Sequence, residues 1–179
     1  TSINAIIQRT INKEFLNENF IEIFQNKEIK FNNFLQKLIY LGYERTSIVR
    51  DKSEFAIRGS IVDVFIVGHE QPIRIDFFDN VIESIHYFDQ LSQARKKKIH
   101  SEKILICTSS ELIINEKSLT LFRKNFRENF LNYRQSEIYH SFSEGVLPPG
   151  GEQFLPFFIE NMSSLFSFLN ETEIILNND

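Results

Sequence analysis

The sequence predicts an α+β protein that is built around a small antiparallel β-sheet. Between residues 43 and 88 apolar residues recur with a period of two, in short segments rich in Ile, Val and Phe. Apolar residues with helical spacing occur at 31–39 and again at 119–133. Of the 179 residues, 42% are hydrophobic and 25% charged, which is typical of a globular chain that can bury a core.

Two helices and one strand are predicted before the sheet. The isoleucines and Phe15 in residues 3–16 have near-helical spacing and predict a short amphipathic helix. A strand is expected within 20–24. The pattern at 31–39 predicts a firmer helix that ends at Gly42, because glycine readily takes the left-handed conformation that follows many helices.

Five consecutive strands should form an antiparallel module of about 60 residues. Their predicted ranges are 43–50, 54–58, 60–67, 72–78 and 81–88. Apolar and charged residues alternate strictly in 73–77, which predicts a sheet with one face in solvent. Asp79 and Asn80 suit a two-residue hairpin turn, because Asp and Asn tolerate a positive φ.

The remainder of the chain is predicted to contain both strands and a helix, joined by a linker and a loop. The basic run 95–98 is expected to be a solvated linker, and 104–107 a buried strand. The amphipathic helix at 119–133 carries arginines and a lysine on its other faces. Glycines and prolines at 145–156 predict an ordered loop, and 173–176 is expected to be a core strand.

Charge is unevenly distributed along the chain, whose formal net charge is −4. Residues 91–134 carry ten basic and four acidic side chains, whereas 135–179 carry seven acidic and no basic ones. This balance argues against a free-standing DNA-binding domain, which needs cations clustered on one face. A local DNA contact through 95–98 and the basic helix at 123–134 remains an alternative.

The residues indicate no active site, metal or cofactor, so we expect a protein that is not an enzyme. The sequence lacks phosphate-binding and dinucleotide-binding glycine motifs, and its four histidines lie far apart. The single cysteine, Cys107, has no base near it in sequence and excludes an internal disulfide, which fits a reducing, cytoplasmic location. The apolar runs are too short to span a membrane.

Three arginines, Arg45, Arg58 and Arg74, lie on or beside the predicted strands, where a simple core does not need them. Arginine can pair bidentately with a carboxylate of another protein, and it often anchors interfaces. The alternative is pairing within the sheet, with carboxylates that neighbouring strands would supply: Asp63, Asp76 and Glu83. The pattern leaves both interpretations open.

The residues also carry a family resemblance. LGYER at 41–45 and EFAIRGSIVDVF at 54–65 resemble consecutive motifs of bacterial transcription-repair coupling factors, and the excision-repair helicase UvrB has a similar stretch. PIRIDFFD at 72–79, GVLPPGGE at 145–152 and LFSFL at 165–169 resemble further motifs of the coupling factors, in the same order. The resemblance covers nearly the whole chain.

The resemblance implies a three-part layout and a partner. Residues 1–28 would end domain 1a, 29–103 would form domain 2, and 104–179 would form much of domain 1b. Domains 1a and 1b of the family form a degenerate helicase-like α/β domain, and domain 2 binds the damage-recognition ATPase UvrA. Intact family members displace stalled RNA polymerase from duplex DNA with a separate motor, so this chain would be a non-catalytic adaptor for transcription-coupled nucleotide excision repair.

Matched position by position, the expected UvrA contacts are Arg45, Arg58, Phe65 and Arg74. Phe65 would be an apolar anchor if exposed, but strand parity also allows it to lie in the core. The chain departs from the family motifs in three places: Ser53 replaces a glycine, Ile66 replaces a proline, and 92–95 reads SQAR instead of TQRS.

Overall fold

The computed structural model describes residues 8–100 and 103–168. They form two compact units, one of residues 18–116 and one of the described residues before 18 and after 116. The predicted strand at 173–176 and the start of the predicted helix at 3–16 lie outside the described residues. The three-part layout 1–28, 29–103 and 104–179 stays a prediction.

The described elements confirm the α+β class. The strands are β1 (Arg9–Ile11), β2 (Phe20–Ile23), β3 (Glu44–Arg45), β4 (Glu54–Arg58), β5 (Ile61–Val64), β6 (Ile73–Phe78), β7 (Val81–Phe88), β8 (Arg95–Lys98), β9 (Ile104–Cys107) and β10 (Met162–Ser164). The α-helices are α1 (Lys13–Glu18), α2 (Phe31–Tyr40), α3 (Glu116–Asn129) and α4 (Glu137–Ser143). Short 3-10 helices cover Tyr133–Gln135, Gly151–Phe157 and Leu165–Phe168.

The central feature of the 18–116 unit is a six-stranded sheet in the order β3-β4-β5-β6-β7-β8. β3 runs parallel to β4, and all other neighbours are antiparallel. The predicted hairpin is confirmed: Phe78 pairs with Val81, and Asp79 between them has φ 54°. The hairpin also holds α2, because the Asn80 side-chain oxygen accepts a hydrogen bond from the Phe31 backbone N–H.

The predicted linker at 95–98 is wrong, because these residues form the edge strand β8. The backbone of β8 pairs with β7. Its run of charged side chains is compatible with a strand at the edge of a sheet, where they remain in solvent. The predicted strand 43–50 is also too long. The Glu54 carboxylate accepts hydrogen bonds from the backbone N–H groups of Arg50 and Asp51, and Ser53 takes φ 71°, so the chain turns before β4.

The core of this unit lies between α2 and one face of the sheet. Phe34, Leu38 and Leu41 are fully buried against apolar side chains of the central strands, among them Phe55, Val62, Val64, Ile73, Ile75 and Ile85. Gly42 has φ 87° and its N–H donates to the Ile39 carbonyl, which ends the helix as expected. β2 and β9 pair as a two-stranded sheet and add Ile23 and Ile106 to this core.

The other unit is held together by aromatic packing. α3 buries Phe122 and Phe126, and the Phe122 ring stacks on Phe158 with centroids 4.6 Å apart. α3 confirms the predicted helix, although it ends at Asn129. The predicted helix at 3–16 is wrong at residues 9–11, which form β1 and pair with β10. Backbone pairing with a distant strand here overrides a local helical pattern.

We predict that Gly42→Ala lowers the free energy of unfolding by more than about 1–2 kcal/mol, the ordinary cost of a left-handed conformation in a residue with a Cβ. The added Cβ would also collide with the Ser109 hydroxyl. Urea denaturation measures the loss, and Gly59→Ala is the matched control, since Gly59 has φ 63° with open space around it. Equal losses in the two variants would contradict the steric contribution at position 42.

Candidate partner-binding face of the sheet

The sheet face that points away from α2 is lined with polar side chains, and we call it the polar face. Its register brings Asp63 opposite Arg74, Arg74 opposite His86, and Asp76 opposite Ser84. Neighbouring positions such as Val62 and Ile75 point to the α2 side, because side chains alternate along a strand. The polar face is therefore a row of cross-strand pairs between ionisable and hydrogen-bonding groups.

Asp63 is the centre of this face and is completely buried. Arg74 binds it bidentately: Nε lies 2.6 Å from Oδ1, and Nη2 lies 2.9 Å from Oδ2. Arg58 approaches from β4, with its Nη2 3.5 Å from Oδ2. The hydrogen bond to Asp63 raises the pKa of Arg74, which therefore remains charged.

Gln93 closes the network from the loop between β7 and β8. Its Oε1 accepts a hydrogen bond from Arg58 Nη2 at 2.8 Å, and its Nε2 donates to the carbonyls of Val49 and Gln90. Its own carbonyl accepts from Arg74 Nη1 at 3.2 Å. One glutamine thus contacts both arginines of the network.

A second carboxylate, Asp76, organises the neighbouring part of the polar face. Arg95 Nη2 lies 2.6 Å from Oδ1, and the Ser84 hydroxyl donates to Oδ2 at 2.6 Å. His86 Nδ1 lies 3.5 Å from Oδ2. Burial lowers the pKa of His86, and Arg95 lowers it further, so this histidine is neutral near pH 7.

The loop that follows β7 is fixed by Asp89. Its Oδ1 accepts hydrogen bonds from the backbone N–H groups of Leu91 and Ser92 and from the Ser92 hydroxyl. Lys96 forms an ion pair with its Oδ2 at 3.0 Å. The Ser92 backbone bond and the Lys96 contact lower the pKa of Asp89 well below its ordinary value, so the carboxylate stays ionised in all but strong acid.

The structure brings three of the four predicted site residues to the polar face. Arg58 is exposed and Arg74 is buried, both at Asp63. Phe65 is 5% exposed and packs with Val49, Ala56 and Phe88, so the core interpretation of Phe65 holds.

Arg45 lies apart, exposed on the edge strand β3. Within residues 8–100 and 103–168 its side chain has no hydrogen bond or ion pair. Pairing within the sheet, which the sequence left open, is confirmed for Arg74 and for Arg58, both of which form ion pairs with Asp63. Contact of the four residues with a partner stays a prediction.

Sequence reasoning missed Gln93 and Arg95 as members of this face. Both lie in the segment 92–95, which differs from the family motif, and only Arg95 also falls within the predicted linker 95–98. The available signal was the resemblance of 92–95 to the TQRS motif, in which Gln93 matches the glutamine. In the described part of the chain, no group of His, Cys, Asp and Glu could hold a metal ion, and no helix is long and apolar enough to cross a membrane.

Comparison with known proteins shows that the residues of this face belong to a known domain family. Residues 21–110, half of the chain, match the UvrB interaction domain. The chain belongs to the UvrB interaction domain family. The matched residues include β2 from Ile21 onward, α2, every strand of the six-stranded sheet and β9.

Curated relatives of this UvrB interaction domain chain are transcription-repair-coupling factors, as the sequence motifs indicated. The proteins of Haemophilus influenzae and Escherichia coli are each 31% identical over 177 residues, which cover 98% of this chain. The Staphylococcus aureus MRSA252 protein is 36% identical over 123 residues, or 64% of the chain. The chain spans 15% of the length of the first two relatives and 10% of the third.

We predict that Asp63→Asn lowers the free energy of unfolding by about 3 kcal/mol, because it leaves the buried Arg74 guanidinium without its counter-charge. Urea denaturation measures the change. Asp51→Asn is the matched control, since Asp51 is exposed and its side chain has no hydrogen bond or ion pair among the described residues. A loss at position 63 no larger than that of the control would contradict the role of Asp63 as the centre of the network.

Proposed function

We propose that this chain is a non-catalytic adaptor that recruits UvrA in transcription-coupled nucleotide excision repair. The observation that carries the proposal is an exposed guanidinium, that of Arg58, held by a buried carboxylate on the polar face of a UvrB interaction domain. Similarity to transcription-repair-coupling factors over 98% of the chain supports the repair pathway. We further propose that the chain acts in the cytoplasm, where its partner meets DNA.

Arg58 is the central contact in this proposal. Its side chain is 42% exposed, and its contacts within the described residues use Nη2 only. The N–H groups on Nε and Nη1 are therefore available to an acidic group of UvrA, in a charge-assisted hydrogen bond. Arg45 has a second exposed guanidinium on the edge strand β3, where it is in register with Phe55 of the α2 side and therefore does not lie on the polar face.

Arg74 and Phe65 support the docking face from inside the domain. Arg74 neutralises Asp63 and stacks over the Phe88 ring, with its Cζ 4.8 Å from the ring centroid. Phe65 packs on the same Phe88 in the small cluster beneath the charges. We propose that both residues affect UvrA binding through the position of Arg58.

In a full-length protein that contains this chain, ATP hydrolysis, translocation on duplex DNA and contact with RNA polymerase would belong to other parts of the sequence. The chain lacks a glycine-rich phosphate-binding loop, and its polar face has no pair of carboxylates free for acid–base chemistry. Asp63 and Asp76 are each engaged by arginine. A docking role requires no such groups.

We predict that Arg58→Ala weakens the affinity for UvrA by about 2–4 kcal/mol, or roughly 30-fold to 1000-fold, because it removes a central interface arginine. Arg45→Ala should weaken it less, since Arg45 lies at the edge of the sheet. Isothermal titration of the 179-residue chain with UvrA measures both. Lys52→Ala, at an exposed lysine with no partner among the described residues, is the control, and affinities equal to wild type for both arginine variants would refute the docking assignment.

A DNA-contacting segment is the second candidate function, favoured by the exposed basic strand β8. Two of its four cations are engaged within the chain, since Arg95 pairs with Asp76 and Lys96 with Asp89. The exposed Lys97 and the half-buried Lys98 have no described partner. The basic residues of α3 lie in the other unit, where Arg123 donates to the Ser143 carbonyl and Arg127 to the Tyr139 hydroxyl.

We predict no retention of the chain on duplex DNA at 50 mM salt, because its formal net charge is −4 and two of the four cations of β8 are already paired with carboxylates of the chain. An electrophoretic mobility assay over a salt series makes the measurement. Retention that falls steeply between 50 mM and 200 mM salt would instead support the DNA-contacting function.

A further inference from the structure

We infer that Gln93 is a positioning residue, which holds the Arg58 side chain in the conformation that binds UvrA before UvrA arrives. This inference rests on the proposed function and assigns a role to a residue that contacts UvrA only through Arg58. Its basis is the hydrogen-bonding pattern of Gln93, the conformation of its backbone, and the donors that it leaves free on Arg58.

Every polar group of Gln93 is engaged, and the contacts reach three distant parts of the chain. The side-chain Nε2 donates to the carbonyl oxygens of Val49 at 3.1 Å and Gln90 at 2.8 Å. Two acceptors at Nε2 fix the orientation of the amide, so Oε1 faces Arg58. The backbone N–H donates to the Asp89 carbonyl at 2.7 Å, and the backbone carbonyl accepts from Arg74.

The backbone of Gln93 is held in an unfavourable conformation. Its φ is 60°, in the left-handed region that residues with a Cβ occupy rarely. Such a conformation persists where surrounding contacts specify it, and these residues cluster at functional sites. The loop around it is fixed by the hydrogen bonds to Asp89, so the amide of Gln93 is presented by a rigid support.

Gln93 fixes one nitrogen of the Arg58 guanidinium, Nη2, and leaves Nε and Nη1 without a contact to Gln93. Arg58 Nη2 donates to Gln93 Oε1 at 2.8 Å, whereas its approach to Asp63 is longer, at 3.5 Å. Gln93 therefore supplies the shorter of the two contacts that orient the guanidinium. A long side chain that is ordered before binding loses less conformational entropy in the complex, which increases affinity.

The experiment is a double-mutant cycle with the 179-residue chain and purified UvrA. Gln93→Met keeps the length of the side chain and removes its hydrogen bonds, and it should weaken the affinity by about tenfold. The double variant Arg58→Ala/Gln93→Met should bind no more weakly than Arg58→Ala, because Gln93 acts through Arg58. Gln71→Met, at an exposed glutamine without a described partner, is the matched control.

The outcomes separate this inference from the proposed function. If the wild-type chain does not bind UvrA, both are refuted. If the wild type binds and Gln93→Met binds equally well, or more tightly, only the positioning role is refuted. An equal loss from Gln93→Met in the wild-type and Arg58→Ala backgrounds also refutes it, since a general effect on the loop would not depend on Arg58.

A measurement on the wild-type chain needs no variant to fold. Side-chain ¹⁵N relaxation of Arg58 in the free chain should show a guanidinium that is ordered on the nanosecond timescale, and Arg45, which has no described partner, should be mobile. Equal mobility of the two arginines would overturn the inference, whatever the result of the titrations.

Discussion

The carboxylate of Asp63, which is fully removed from water, is the constraint on which the second face of the sheet depends. A buried charge is tolerated only when it is paired and hydrogen-bonded, and the register of β5 and β6 supplies Arg74 directly opposite. Arg74 also donates a hydrogen bond to the Gln93 carbonyl. The Arg58 guanidinium pairs with the same carboxylate at Oδ2 of Asp63. The part of the polar face around Arg58, Arg74 and Gln93 therefore follows from the need to neutralise Asp63.

The two faces of the sheet consequently have different roles. The α2 side is apolar and closed, with Phe34 and Leu38 fully buried, and it provides the stability of the 18–116 unit. The polar face is extensively hydrogen-bonded and carries exposed charge in Arg58 and Arg95, whose side chains are 42% and 45% exposed. A surface with exposed, hydrogen-bonded arginines suits recognition of another protein.

Local patterns predicted the elements whose signals are short-range. The hairpin at Asp79, the helix that ends at Gly42 and the strand 54–58 depend on turn chemistry and periodicity within a few residues. The failures at 9–11 and 95–98 share a different cause, because β1 and β8 owe their existence to pairing with another strand. β1 pairs with residues about 150 positions away, and no local window contains that information.

The sequence by itself determined the α+β class, the family and the alternation that separates Asp63 and Arg74 from Val62 and Ile75. Only the tertiary structure decided which side chains of the polar face are covered, since parity shows the side of a sheet and not what packs upon it. The segment around Val49 and the loop around Gln93 cover Phe65 and Arg74, and leave Arg58 in solvent. Those two segments lie 44 residues apart in sequence, so no local pattern shows that they meet.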